Sequence, residues 1–150
     1  SKSAQKRVGR IGDGWLVSQA TAAEINQALE TIFGTAKEFN RQVDPDHIGT
    51  MLGFHISSSK EESSRAAYEH LVTHRSDVHW SEYCALGSPR DITQTITKFI
   101  SAGVSKFVVR PLCPTEQIMD QLALFGREVL PVFHNQVNQF SIQKLVIAFT

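Results

Sequence analysis

The chain has 150 residues, 41% of them hydrophobic and 20% charged, which suits one globular domain with a single core and excludes a disordered tail. Fifteen basic residues balance fifteen acidic ones, so a dedicated nucleic-acid binder, which carries a basic surplus, is not expected. No apolar run approaches 18 residues, so no membrane span is expected, and the two cysteines, Cys84 and Cys113, are too few for a disulfide framework. With no leader-like start, the reading is a reduced, cytoplasmic protein, a single disulfide being left open.

The first dozen residues predict a helix, followed by a short strand at Trp15–Ser18. Thr21-Ala-Ala-Glu24 is a capping box, in which hydroxyl and carboxylate each satisfy a backbone N–H of the first turn. Ile25, Leu29, Ile32, Phe33, Ala36 and Phe39 follow at spacings of three and four, so a helix over 22–39 is expected to bury them as one stripe. Gly34 inside it costs about 1 kcal/mol relative to alanine and suggests a close contact. Asn40–Asp46 reads as a loop, because the residue before Pro45 is steered away from helix.

Ile48–Ile56 is an apolar run bounded by turn formers and reads as a strand buried on both faces. Ser59-Lys-Glu-Glu62 is a second capping box, opening a helix over about 60–74; residues 75–83 are ambiguous. Ser88-Pro89-Arg90-Asp91 supplies an N-cap, a first-turn proline and an acid at the positive end of the helix dipole. Ile92, Ile96, Phe99 and Ile100 form that helix's buried stripe, and Ala102-Gly103 ends it. Lys106–Arg110 is a short strand, and 115–130 a helix with Ile118, Met119, Leu122, Phe125 and Val129 inward. Alternating strands and helices imply an α/β architecture with about three parallel strands and flanking helices. Asn135–Thr150 stands apart: it carries one charge and ends in a β-prone apolar run, either a buried last strand or a segment foreign to the domain.

Four motifs then line up in order. Gly9-Arg-Ile-Gly-Asp-Gly-Trp15, Gly87-Ser-Pro89 with the helix ending Ser101-Ala-Gly-Val104, the strand Lys106–Arg110, and Glu128-Val-Leu-Pro131 resemble segments of the luciferase-like flavin- and deazaflavin-dependent oxidoreductases. The resemblance covers about residues 1–134, leaving 135–150 as a tail of uncertain origin. It implies a TIM (β/α)8 barrel binding FMN, or alternatively a deazaflavin, at its C-terminal face. Such barrels need about 250 residues, so the chain reads as the C-terminal portion of one. The family's catalytic residues and most contacts to the flavin ring would then lie outside it. The chain alone is therefore expected not to turn over substrate, and flavin reduction by it would contradict this.

What the resemblance implies about sites follows residue by residue. Ser1 and Ser3 fall where the family's phosphate loop enters a helix, so hydroxyls and exposed N–H groups would suit a flavin phosphate; the alternative is a frayed terminus. Arg110 ends a strand, where this fold places its chemistry, and would bind an anionic substrate group or the flavin phosphate; the alternative is a structural ion pair. His55, near the end of Ile48–Ile56, would face the same mouth as a substrate contact, or be a hydrogen-bonded core histidine. Asp13-Gly14-Trp15 reads as a structural turn rather than a catalytic acid. His70 and His74 share a helix face at i,i+4, but with no glutamate between them and no third ligand a solvated face is expected and no metal. The activity implied is that of a flavin-dependent monooxygenase or deazaflavin-dependent dehydrogenase acting on a small organic substrate. The partners expected are the missing N-terminal half of the barrel or further copies in a homo-oligomer. The other reading is a non-catalytic, flavin-binding or self-associating relative.

Overall fold

A computed structural model describes residues 1–71 and 74–134. The tail 135–150, read as either a buried last strand or a segment foreign to the domain, lies outside the described residues. The elements are α1 (Lys2–Ile11), β1 (Trp15–Ser18), α2 (Ala22–Glu38), β2 (Ile48–Ile56), α3 (Lys60–Tyr68), β3 (Cys84–Gly87), α4 (Pro89–Ser101), β4 (Lys106–Pro111), α5 (Ile118–Glu128) and α6 (Leu130–His134). This is an α/β fold with a parallel sheet and flanking helices, as the alternation implies.

The sheet is organised around β2, which pairs in parallel with each of the other three strands. β1 pairs with residues 48–51 of β2 and β3 with residues 53–56, whereas β4 runs along 49–54 and overlaps both. A strand has two edges, so β4 occupies one and β1 and β3 share the other, end to end. The path β1–β2–β4 contains the three expected strands, and β3 is a fourth, added beside the C-terminal end of β2. β3 escaped the sequence reading because all four of its residues are buried, which leaves no alternation to detect.

One face of the sheet packs against helices. Ile48, Leu52, Phe54, Phe107 and Val109 meet Ile25, Leu29 and Ile32 of α2, Ile92, Ile96 and Phe99 of α4, and Phe125 of α5 in one core. The opposite face is open at its centre: Leu16 is 58% and Met51 37% exposed, and Gly53 is half-buried. The expectation that β2 is buried on both faces therefore holds at its ends and fails at its centre, where no described helix covers Met51 and Gly53. Above the open face, near the C-terminal strand ends, a smaller cluster forms from Ala67, Tyr83, Cys84, Leu86 and Leu112.

The helix starts hold where the sequence put them. Thr21 and Glu24 make a complete capping box, as do Ser88 and Asp91. At Ser59 only half of the box forms, because the Glu62 carboxylate turns to Ser58 instead. Other expectations shift. Phe33 and Phe39 of the α2 stripe are exposed, Phe39 lying under the Arg10 guanidinium. α3 stops at Tyr68 rather than 74, where the chain turns to bring Leu71 against the smaller cluster and Tyr68 onto His74 and Trp80. The helix expected over 115–130 begins as a 3-10 turn at Thr115–Gln117 and breaks at Val129, two residues before Pro131, whose ring cannot follow a helical turn. Met119, expected inward, is 73% exposed, and Gln121 is buried instead.

Candidate functional site at the open ends of the strands

Parallel strands carry their C-terminal ends to one side, and this fold gathers Ser18, Ile56, Gly87 and Pro111 there. Register places Gly53 beside Arg110 and Phe54 beside Pro111. A cavity of about 270 Å³ opens over the glycine. Its walls are Ser18 and Gln19 from the end of β1, Met51 and Gly53 from β2, and Arg110 and Leu112 from β4. Leu71, Tyr83 and Cys84 close it from the side of the smaller cluster. Gly53 has a definite role here, because a Cβ would stand 2.8 Å from a Leu112 methyl and displace it.

Arg110 is half-buried, and its hydrogen bond to the His70 carbonyl, at 3.5 Å, lies at the limit of useful length. Among the described residues no carboxylate lies within ion-pair distance of it. The structural ion pair weighed as the alternative for Arg110 is therefore not formed there.

A second cavity, of about 480 Å³, adjoins the first and shares Ser18 and Gln19 with it. Ser1, just ahead of α1, and Lys2 and Gln5 of α1 line it, together with Glu24, Glu30 and Arg75. Ser1 caps α1, its hydroxyl accepting from the Ala4 N–H at 3.4 Å. Ser3 is exposed and does not line the cavity. Gln19, between the two cavities, holds a left-handed backbone (φ 53°), which for a non-glycine residue is uncommon outside turns and functional sites. Its carbonyl accepts from Arg75, whose guanidinium also grips Glu24 through two bonds of 2.7 Å and pairs with Asp77. The Arg75 guanidinium holds the Glu24 carboxyl down to about 2. This cluster ties the connection after α3 to the start of α2, across the end of β1.

His55 sits elsewhere. It is buried, with Nδ1 3.4 Å from the Ser63 hydroxyl of α3, and does not line the Arg110 cavity. Burial pushes its imidazole below the usual value of 6.5, opposed by the charge of Glu62 and reinforced by His70. A folded chain that resists this proton loses stability where the unfolded chain binds it, so stability should fall as pH drops below 6.5 toward the folded value. His55→Gln should flatten that slope. Urea unfolding midpoints at about pH 7.5 and about pH 5.5 measure it, and an unchanged difference between them would refute the assignment.

Asp13 lies at the opposite end of β1 from Ser18, paired with Arg41 at 3.2 Å and fully accessible to solvent. A Cβ on Gly14 would stand 2.6 Å from the His47 carbonyl oxygen, so this turn is a packing feature. Both cysteines are free thiols; burial pushes Cys84 up to about 12 and raises Cys113 too. Ser18, Gln19, Gly53, Tyr83 and Arg75 went unremarked in the sequence. Ser18 was within reach, because the rule that singles out Arg110, the last residues of a strand, applies equally to β1. Arg75 and Gln19 carry no local signal.

No family model and no curated protein matches the sequence. Solved structures do match. The coenzyme F420-dependent tetrahydromethanopterin reductase of Methanopyrus kandleri superposes with a TM-score of 0.64 at 19% identity, over 89% of this chain and 49% of that one. An F420-dependent secondary alcohol dehydrogenase, in complex with an F420-acetone adduct, gives 0.69 at 15%, over 87% and 46%. The fold is similar to that of part of these luciferase-like enzymes. The oxygenating constituent of 3,6-diketocamphane monooxygenase of Pseudomonas putida, in complex with FMN, gives 0.59 at 13%, over 85% and 44%. The chain thus spans about half the length of these luciferase-like TIM-barrel enzymes, and the implied family fold is met by the structure. None of the described helices is long and apolar enough to cross a membrane.

Proposed function

We propose that this chain is the half of a luciferase-like oxidoreductase barrel, residues 1–134, that carries part of a flavin or deazaflavin site and part of the substrate wall. The observation that carries this is the pair of adjoining cavities at the strand ends, joined at Ser18–Gln19, with the start of α1 beside one and Arg110 in the other. The donors beside α1 fit a phosphate tail: a Lys2 ammonium, the Ser1 hydroxyl, the Gln5 amide and the open first-turn N–H groups at the positive end of the dipole. Glu24 and Glu30 line the same cavity; the charge of Glu24 is already matched by Arg75, and Lys2 is the cation left to meet a phosphate against Glu30. Ser1 is thus the cofactor-side residue and Arg110 the substrate-side one; Ser3 lies outside the cavity beside α1 and His55 outside that of Arg110, so neither is proposed as a direct contact. When bound, FMN would supply oxygen activation, or a deazaflavin hydride transfer, while the chain orients the ligand and keeps water away.

The test is titration of the chain with FMN and with F420, followed by ligand fluorescence. Saturable binding of one of them, weakened in Lys2→Ala, is expected; two flat titrations would overturn the reading.

The uncovered sheet face favours a second reading alongside this one, in which complementary strands, from another copy or from the barrel's other half, cover Leu16 and Met51. Sedimentation should then show association that Leu16→Lys abolishes, and a monomer at all concentrations would refute self-pairing.

A further inference from the structure

We propose that the Arg110 cavity selects a small monocarboxylate with an apolar body, an aliphatic or aryl acid, its carboxylate held by the guanidinium and its body laid against Met51, Leu71 and Leu112. This deepens the reading of Arg110 as a substrate contact and rests on it. Three observations carry the class of ligand.

The first is charge. Among the described residues Arg110 is the one ionised side chain lining this cavity; Ser18, Gln19 and Tyr83 are neutral, and the buried Cys84 stays a thiol at neutral pH. With no carboxylate among the described residues within ion-pair distance, a half-buried guanidinium keeps its donors for a ligand. A planar fork of N–H groups matches a carboxylate with two parallel bonds. A phosphate brings close to two charges and three acceptor oxygens, and here one cation without a helix N-terminus would meet them.

The second is lining. Beyond Arg110 the walls are mostly hydrocarbon and sulfur, which a bare inorganic anion would leave unmatched and an alkyl chain or ring would cover. The third is size. About 270 Å³ falls just below the roughly 300–1,000 Å³ of pockets for drug-sized ligands, so the occupant is small and a whole flavin is excluded from this chamber. Gly53 maintains that volume, because any side chain at 53 drives Leu112 from its seat.

Isothermal titration of the full chain with benzoate, hexanoate, benzamide and inorganic phosphate tests this. Both acids should bind, with benzamide weaker by at least about tenfold, since it has the same body without the charge. Arg110→Met should lose the acids by a similar factor, and Arg110→Lys, which keeps the charge but not the fork, should recover part of the affinity. Gly53→Ala should weaken both acids while leaving the benzoate-to-benzamide preference in place. Equal binding of benzamide and benzoate, phosphate binding as tightly as the acids, or no binding of either acid would each overturn the proposal. Should Arg110→Met fail to fold, the wild-type preference and Arg110→Lys decide. A parallel FMN and F420 titration separates the readings: cofactor binding without acid binding sinks this inference alone, and acid binding without cofactor binding sinks the cofactor reading alone.

Discussion

Replacing Gln121 with leucine should lower the unfolding free energy by about 2–4 kcal/mol, although the substitution adds apolar bulk to a buried position. The Gln121 side chain takes the place of a missing length of strand. β4 ends at Pro111, and just beyond it the Leu112 N–H makes the last bond to β2, donating to the Phe54 carbonyl at 2.7 Å. Backbone groups two residues apart face the same edge of a strand, so Ile56 points its N–H and carbonyl to the side β4 has left. The Gln121 amide answers both, accepting from the Ile56 N–H at 2.8 Å and donating to its carbonyl at 2.9 Å. Leucine would strand two buried backbone groups at once, each worth roughly 1–3 kcal/mol, and its transfer gain cannot offset both. Glutamate would keep an acceptor, lose the donor and bury a charge, so it should be no better. Urea denaturation checks the magnitude. Hydrogen exchange at the Ile56 amide checks the cause, because it should lose protection beyond the global change. A loss under about 0.5 kcal/mol would show that water replaces the amide.

Two helical glycines should respond to alanine with opposite signs. Gly9 lies where α1 crosses α2, and a Cβ there would stand 2.6 Å from the Ile32 carbonyl oxygen and 2.8 Å from the Thr35 Cβ. These are backbone and branch-point atoms that cannot swing aside, so α1 must shift off α2. Gly9→Ala should cost about 1–3 kcal/mol, the usual range for overpacking. Gly34, in the middle of α2, faces open space, with no atom within 4 Å of an added Cβ. The close contact its presence suggested in the sequence is absent. Gly34→Ala should therefore stabilise by about 0.5–1 kcal/mol, by relieving the backbone entropy that glycine loses in a helix. Chemical denaturation of the two variants side by side is the check. A stabilised Gly9→Ala would mean that α1 is only loosely seated.

The sequence exposed what is local. Thr21 with Glu24 and Ser88 with Asp91 declared helix starts because both halves of each box lie within four residues, and the Ile92, Ile96 and Phe99 stripe fixed the buried face of α4. What it concealed depends on distant partners. Nothing near Gln121 tells that residue 56 needs two hydrogen bonds, and so Met119, a stronger hydrophobe, was turned inward in its place. β2 read as doubly buried because its apolar run is unbroken, and only the tertiary arrangement reveals that no helix covers Met51. The site divides in the same way. Arg110 was legible from its place at a strand end, whereas Arg75 belongs to the site only through Glu24 and Gln19, more than 50 residues earlier in the chain.

The pairing of β1, β3 and β4 with β2 alone bears on how the sheet is assembled in time. β1, β3 and β4 have no paired strand among themselves, so none can be laid down before β2 is extended. The Ser105 N–H that closes onto the Ile48 carbonyl bridges 57 positions of chain, a loop whose entropy must be spent before the β2–β4 pairing returns anything. Folding of this unit is therefore slow for its size and turns on one strand: substitutions in β1 or β3 should chiefly hasten unfolding, while those along Ile48–Ile56 should retard folding itself.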